Sequence, residues 1–521
     1  MTPARALDDR IRRIARRLAV LAVAVVLVGC SPAPPSVPPS AGGPAATATA
    51  SGPVGSGIPA GEPTLAAALR DAVDLNAILD DLQRLDDVAQ AHEGNRAAGS
   101  RSEAEAAQYV ADELRAAGFN VELQDVTLPW FNQDAPSVLE VDGLANSLED
   151  LRDFKAMLLS PSGDVRGRIH SLAFDPAAPP GDRSGLGCDG TDFADVPSGA
   201  IVLVRPGPCF RRDVVMNAQD AGAGAIVTVY PEFQRDTVLR PTLIDPAGLE
   251  IPALAASNDT GLALLDAAQR SASGHIVVET TVEDRTSVNV IAETVGGASD
   301  HVLVIGGHID SSVDGPGIND DGSGTMTILE LGRQLAAAAT GPQSQAGDGW
   351  KVRIAFWTGE EIGLLGSGAY VEGLDSTAVG SIEAYLNFDM LGSSNGVREV
   401  YSGAQSTRPT ESAAVAALFS SAFDRVGLSS TIKELGGGAD HASFNNFLIP
   451  TGGLFSGASE IKTPEQAALF GGAAGAPNDP CYHLACDTAD NIDRVRLEEM
   501  ARAAAWVVGA LASGEVTLRA T

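Results

Sequence analysis

Residues 306–324 read GGHIDSSVDGPGINDDGSG, and this stretch decides the fold. The apolar run that leads into it, HVLVIGG at 301–307, predicts a strand buried on both faces, as in a parallel sheet. Residues 325–339 behind it predict a helix. Strand, Gly-rich loop and helix put His308, Asp310 and Asp320 at the carboxyl end of a strand, where open α/β sheets hold their ligands. An imidazole and carboxylates on one loop are donors for a borderline or hard cation. A solvated polar loop has the same composition, so the rest of the chain has to decide between them.

Working outward, strands alternate with helices. SVNVIAE at 287–293 and the segments 351–358, 384–388 and 451–455 read as strands. Val415, Leu418, Phe419, Ala422, Phe423 and Val426 share one helical face; Leu497, Met500, Ala501, Ala504, Val508 and Leu511 share another. Upstream, Leu75, Ile78, Leu79, Leu82, Leu85 and Val88 mark a helix. A turn, NRAAGS at 95–100, follows, then a second helix over 102–117 with Ser102 and Glu105 as its capping box. Together these predict an α/β fold, a mostly parallel sheet sandwiched by helices, built from residues 65–134 plus 286–515.

Between 135 and 285 the texture changes. Pro and Gly are frequent, and AIVLV at 200–204 and AIVTV at 225–229 read as short buried strands flanking a helical 212–221. Cys188 and Cys209 both fall in this part and are expected to pair. AGAGA at 221–225 is not a phosphate-cradling GxGxxG. His92-Glu93 begins an HExxH pattern, but Arg96 stands where the second histidine belongs, so His92 is read as non-catalytic.

The amino terminus is of another kind. Six Arg and two Asp lie in residues 1–29, with an apolar run at 18–28 ending in Leu27-Val28-Gly29-Cys30. This is the layout of a signal peptide, too short for a spanning helix, with cleavage before Cys30 and lipid on its sulfur. Residues 30–64, rich in Pro, Ser, Ala and Gly, read as a flexible tether. The formal charge of the whole chain is −32. So acidic a chain argues against nucleic acid and against holding an anionic membrane by charge. Removing Cys30 leaves four cysteines for an oxidising, extracytoplasmic compartment.

Further donors recur just after strands. Glu360 and Glu361 follow KVRIAFWTG, Asp389 follows AYLNF, and His483 lies in CYHLAC. With His308 and Asp320 this makes two imidazoles and several carboxylates at one sheet edge, enough for two ions with a carboxylate between them. Adjacent side chains such as Glu360 and Glu361 point apart, so one can bind metal while the other moves a proton.

In this order, GHIDS…GINDDGSG, WTGEEIGLLGS, LNFDMLG, ADHASF…IPTGGLFSGA and DPCYHLACDT resemble the co-catalytic di-zinc aminopeptidases, which include secreted leucyl aminopeptidases and aminopeptidase Y. DVPSGAIVLVRPGPC…AGAGAIVTV…IPALAAS resembles a protease-associated (PA) domain, a small insert of mixed β and α. The resemblance implies two Zn(2+) per chain: His308 and Asp389 on one, Glu361 and His483 on the other, Asp320 between them. It implies Glu360 as general base and acid, Asp310 orienting His308, Tyr482 donating to the oxyanion, a cis peptide at Asp320-Asp321, and a Cys481–Cys486 disulfide. Calcium activation occurs among such relatives, with no residues assigned to it here.

The activity so implied is removal of an N-terminal residue, large and apolar, from peptides with a free amine, by a lipoprotein anchored through Cys30 and acting as a monomer. One departure concerns specificity: some relatives carry Arg two places before Asp440, where this chain has Gly438. Asp440 and His441 are read as structural or pocket-lining. The rival readings are another di-zinc exopeptidase, a carboxypeptidase or dipeptidase, and an inactive binding relative.

Overall fold

The computed structural model describes residues 62–173, 175, 184–230, 238–340 and 349–518. The signal peptide, Cys30 and nearly all of the tether lie outside these residues. Among the described residues, no helix is long and apolar enough to cross a membrane.

One sheet has eight strands: β1 (Asn120–Gln133), β2 (Thr280–Glu293), β3 (Ala298–His308), β4 (Trp350–Trp357), β5 (Ile382–Phe388), β6 (Glu399–Tyr401), β7 (Thr431–Lys433) and β8 (Thr451–Phe455). Their order across the sheet is β1-β2-β4-β3-β5-β8-β6-β7. The centre, β4-β3-β5-β8, is parallel. The flanks are mixed: β1 and β2 pair antiparallel over their whole length, β2 pairs antiparallel with β4 and β6 with β8, while β6 and β7 pair parallel. The sheet is therefore mostly parallel, as expected, and mixed through the antiparallel pairs at its flanks. The long β1/β2 arms are antiparallel because they carry the chain out to the inserted residues and back.

The HVLVIGG run earns its central place by alternation. Leu303 and Ile305 enter the larger core on one face, and Val302 and Val304 enter a second core on the other. Helices α1 (Leu75–Gln90), α2 (Arg101–Ala116), α3 (Gly324–Thr340), α4 (Pro409–Arg425) and α5 (Arg494–Ala512) contribute to the first. Trp357, Tyr370, Tyr385 and Phe444 build the second. Fully burying each such side chain contributes roughly 1.5–3 kcal/mol.

The start of α2 differs from expectation. Its cap is Ser100, whose hydroxyl accepts from the Glu103 N–H at 3.1 Å. Ser102 is buried inside the first turn and donates to the Asn95 carbonyl at 2.6 Å, so it is not free to cap.

Among the described residues, a second sheet of seven strands lies within 138–278, with Gly163–Ser171, Ile201–Val204, Ala225–Val229 and Ala253–Ala256 parallel at its centre. Helices Arg211–Asp220 and Asn258–Gln269 accompany it. The Cys188–Cys209 disulfide is formed in this part.

Candidate metal centre

Three neighbouring parallel strands end level with one another. His308 of β3 is in register with Trp357 of β4, and Gly306 with Asn387 of β5. The residues that follow, Glu360 and Glu361 after β4 and Asp389 after β5, therefore gather around His308. Close approach of the backbone needs glycine here. A Cβ on Gly307 would lie 2.3 Å from Asp321 Oδ2, and one on Gly324 would lie 2.0 Å from the Phe388 carbonyl oxygen.

The donors form two groups, His308 with Asp320 and Asp389, and Asp320 with Glu361 and His483; within each group the ligand atoms lie within 4.8 Å of one another. Asp320 belongs to both. Its Oδ1 is 3.1 Å from His308 Nε2 and its Oδ2 is 3.0 Å from His483 Nε2. Glu361 Oε2 is also 3.0 Å from His483 Nε2, and Asp389 Oδ1 is 3.8 Å from His308 Nε2. His308 Nδ1 donates to the Asp310 carbonyl at 2.9 Å. A carbonyl only accepts, so Nδ1 carries a proton and the ring turns Nε2 toward the carboxylates of the site.

The Asp310 carboxylate has its own partners. It stands 3.8 Å from His308 Nδ1, while Oδ1 accepts from the Glu360 N–H at 3.2 Å and Oδ2 from the Glu361 N–H at 3.3 Å. Asp310 thus ties the β3 loop to the β4 loop. The Asp320–Asp321 peptide is cis. Asp321 Oδ1 accepts from the N–H groups of Gly324 (2.9 Å) and Met390 (3.0 Å), joining this turn to the end of β5.

His483 sits in the left-handed region (φ 56°) inside a loop closed by the Cys481–Cys486 disulfide. The Tyr482 ring stacks on the His483 ring at 3.8 Å and packs against Met390, Tyr401, Leu435 and Phe455. Burial, with the charges of Asp320, Glu361 and Glu360, holds the Tyr482 phenol above its usual range, so it remains a donor.

The electrostatics select for positive charge. Burial works against a charge on His308, yet its hydrogen bonds to Asp320 and Asp389 hold its pKa well above the usual value. Burial likewise opposes the Asp320 carboxylate, but its hydrogen bonds to His308 and His483 hold it below the usual range. Burial, reinforced by the nearby charges of Asp440, Glu361 and Asp389, pushes Glu360 up. Glu361 Oε1 is buried without a hydrogen-bond partner. Such an orphaned oxygen is costly unless a cation or donor meets it. Two imidazoles and three carboxylates fit zinc.

Three supporting residues were assigned no role from the sequence. Arg96, fully buried, donates to the carbonyls of Ile309, Pro316 and Gly317, and its N–H reaches Ser311 Oγ at 2.8 Å. Asp487 accepts from the N–H groups of Asn319 (2.9 Å) and Asp320 (3.1 Å). Glu103 Oε2 accepts from the Gly99 N–H at 2.6 Å and the Ser287 hydroxyl at 2.7 Å. Each is a polar residue buried by tertiary contacts alone. Asp440 and His441 are also buried, with His441 Nε2 donating to the Leu435 carbonyl at 2.5 Å.

Fold and donor set together define an α/β protein with two groups of donors that could hold metal ions at the carboxyl edge of its sheet. Residues 289–508 match the model of peptidase family M28, and residues 173–264 match the PA domain. An aminopeptidase of Pseudomonas aeruginosa is 35% identical over 442 residues, 82% of this chain and 78% of the relative. The probable lipoprotein aminopeptidase LpqL of Mycobacterium tuberculosis is 35% identical over 475 residues, 88% and 89%. Leucine aminopeptidase 2 of Trichophyton tonsurans is 34% identical over 451 residues, 84% of each. The chain belongs to peptidase family M28 and carries a PA domain. In fold it is similar to the aminopeptidase from Aneurinibacillus sp. strain AM-1 (TM-score 0.68, 24% identity, covering 88% of this chain and 98% of that one). It is also similar to a zinc aminopeptidase from Bacillus subtilis (TM-score 0.60, 22% identity, 84% and 94%).

Proposed function

We propose that this chain is a zinc aminopeptidase that uses two zinc ions to release a large apolar N-terminal residue from peptides. The observation that carries the reading is Asp320, a donor common to both ligand groups. His308 and Asp389 would hold one ion, Glu361 and His483 the other, and Asp320 both. When bound, the ions supply Lewis-acid polarisation of the peptide carbonyl and lower the pKa of water held beside them.

The chain's own residues do the rest. Glu360 takes a proton from the attacking water on its carboxylate and returns it to the leaving amine. Asp310, accepting the N–H groups of Glu360 and Glu361, fixes where that carboxylate stands. The Tyr482 hydroxyl donates to the oxygen on which negative charge develops. The carboxylates of the site attract the substrate's free ammonium group. The leucine aminopeptidase name of one relative supports an apolar first side chain.

The names of the relatives support an aminopeptidase, and the lipoprotein in the name of LpqL supports anchoring through lipid on Cys30 outside the cytoplasm. The test compares hydrolysis of leucyl-p-nitroanilide with its N-acetylated form, using residues 64–521, before and after metal removal and zinc return. Zinc-dependent cleavage of the free amine alone is expected. Equal cleavage of both, or none with two zinc ions bound, would sink the reading.

A further inference from the structure

We propose that the PA insert is a positioning element for the metal centre, gripping both ligand-bearing loops through one strap, residues 238–245. This rests on reading the donor cluster as the zinc site of a peptidase.

The first grip is Asp314, on the loop between Asp310 and Asp320. Arg240 of the strap approaches Asp314 Oδ1 at 3.3 Å through Nε, and Lys155 reaches Oδ2 at 2.9 Å through Nζ. The side chains of Lys155, Arg240 and Asp314 are 6%, 5% and 13% exposed. Arg240 Nη1 also donates to Gln133 Oε1 and the Ala156 carbonyl, both at 3.0 Å. The guanidinium is therefore held in one place, at the junction of β1 and the insert. Two buried cations meeting one carboxylate are tolerated only in a fixed geometry. From the opposite side, Asn95 Nδ2 donates to the Val313 carbonyl at 3.1 Å and Arg96 holds the carbonyls of Pro316 and Gly317. The His308 loop is thus clamped between the NRAAGS turn and the PA insert.

The second grip is Ile244, four residues further along the strap. Its φ is 68°, a conformation a β-branched residue adopts only under constraint. The constraint comes from Thr242, whose Oγ1 accepts the Ile244 N–H at 2.9 Å, and from backbone bonds of Pro241 and Leu243 with Leu158. So held, Ile244 packs onto Gly363: a Cβ there would lie 2.9 Å from Ile244 Cγ2. Gly363 belongs to the turn whose N–H closes on the Glu360 carbonyl at 2.9 Å. Ile362 of the same turn lies in the insert's own core. One short segment of the insert therefore touches the loop of His308 and Asp320 and the turn of Glu360 and Glu361. Lys155, Arg240 and Ile244 act through these loops and are positioning residues.

The test uses the full chain and its Lys155→Met, Lys155→Arg and Ile244→Ala variants. It follows zinc release to a fluorescent chelator, zinc per chain, thermal unfolding, and kcat and KM on leucyl-p-nitroanilide. Lys155→Met and Ile244→Ala should release zinc about tenfold faster and lose about tenfold in kcat with KM little changed, the size of effect seen when a residue supporting metal ligands is removed. Lys155→Arg should restore most of both. Folded variants with wild-type zinc release and kcat, with or without a lower melting temperature, would overturn the inference and leave the peptidase reading standing. A wild-type chain that retains no zinc would overturn that reading, and this inference with it.

Discussion

Asp487 Oδ2 accepts the backbone N–H of Asp320 at 3.1 Å, so the residue common to both donor groups is held from the loop that carries His483. The other oxygen takes the Asn319 N–H at 2.9 Å and the Asn491 side-chain amide at 3.1 Å. Asp487→Ala would leave the two buried N–H groups of Asn319 and Asp320 unpaired, at about 1–3 kcal/mol each, while the Asn491 amide keeps Asp479. The expected result is a fall of several kcal/mol in unfolding free energy and loss of zinc. Denaturant titration and metal analysis of the purified variant check it, and full zinc content would count against the role.

Glu360 is assigned the proton and no metal. Glu360→Ala should keep zinc content and fold while turnover falls about 10²–10⁴-fold, the usual contribution of a general base. Metal analysis alongside kcat separates the two roles. A variant that loses zinc together with activity makes Glu360 a ligand.

The Cys481–Cys486 bridge closes a loop with a sequence separation of only 5. Its effect on global stability is accordingly small, about 2 kcal/mol by loop entropy. The larger effect falls on His483, which the loop holds in a left-handed conformation. Cys481→Ser should reduce zinc retention more than it lowers the melting temperature. Unchanged zinc release in that variant would show that the bridge does not hold the ligand.

Glu103 gives the fold a pH dependence. Burial raises its pKa to about 7, against hydrogen bonds from Ser287, Thr358 and Gly99 that favour the charged form. The folded state therefore holds this proton more tightly than the unfolded chain. The stabilisation is complete below the unfolded pKa, near 4.5, and is lost as pH rises through about 7. At ~1.4 kcal/mol per pH unit the contribution is on the order of 3 kcal/mol. Glu103→Gln should flatten the change in unfolding free energy between these two pH values. An unchanged slope would assign it to other groups.

The local determinants of this protein lie in its sequence. The alternation of HVLVIGG, the apolar faces of α4 and α5, and the Gly-rich loop depend on neighbours two to four residues apart, so strands, helices and the placement of His308, Asp320, Glu360, Glu361, Asp389 and His483 at strand ends or in loops were legible. Two features were not. The antiparallel pairing at the edge of the sheet depends on how β1 and β2, with 146 residues between Gln133 and Thr280, find one another, and no local pattern records that. The supports of the site, Arg96, Asp487, Glu103 and the Lys155–Asp314–Arg240 cluster, are polar residues indistinguishable in sequence from solvated ones. Only the tertiary structure buries them, because a charge leaves water only where distant segments supply its partners.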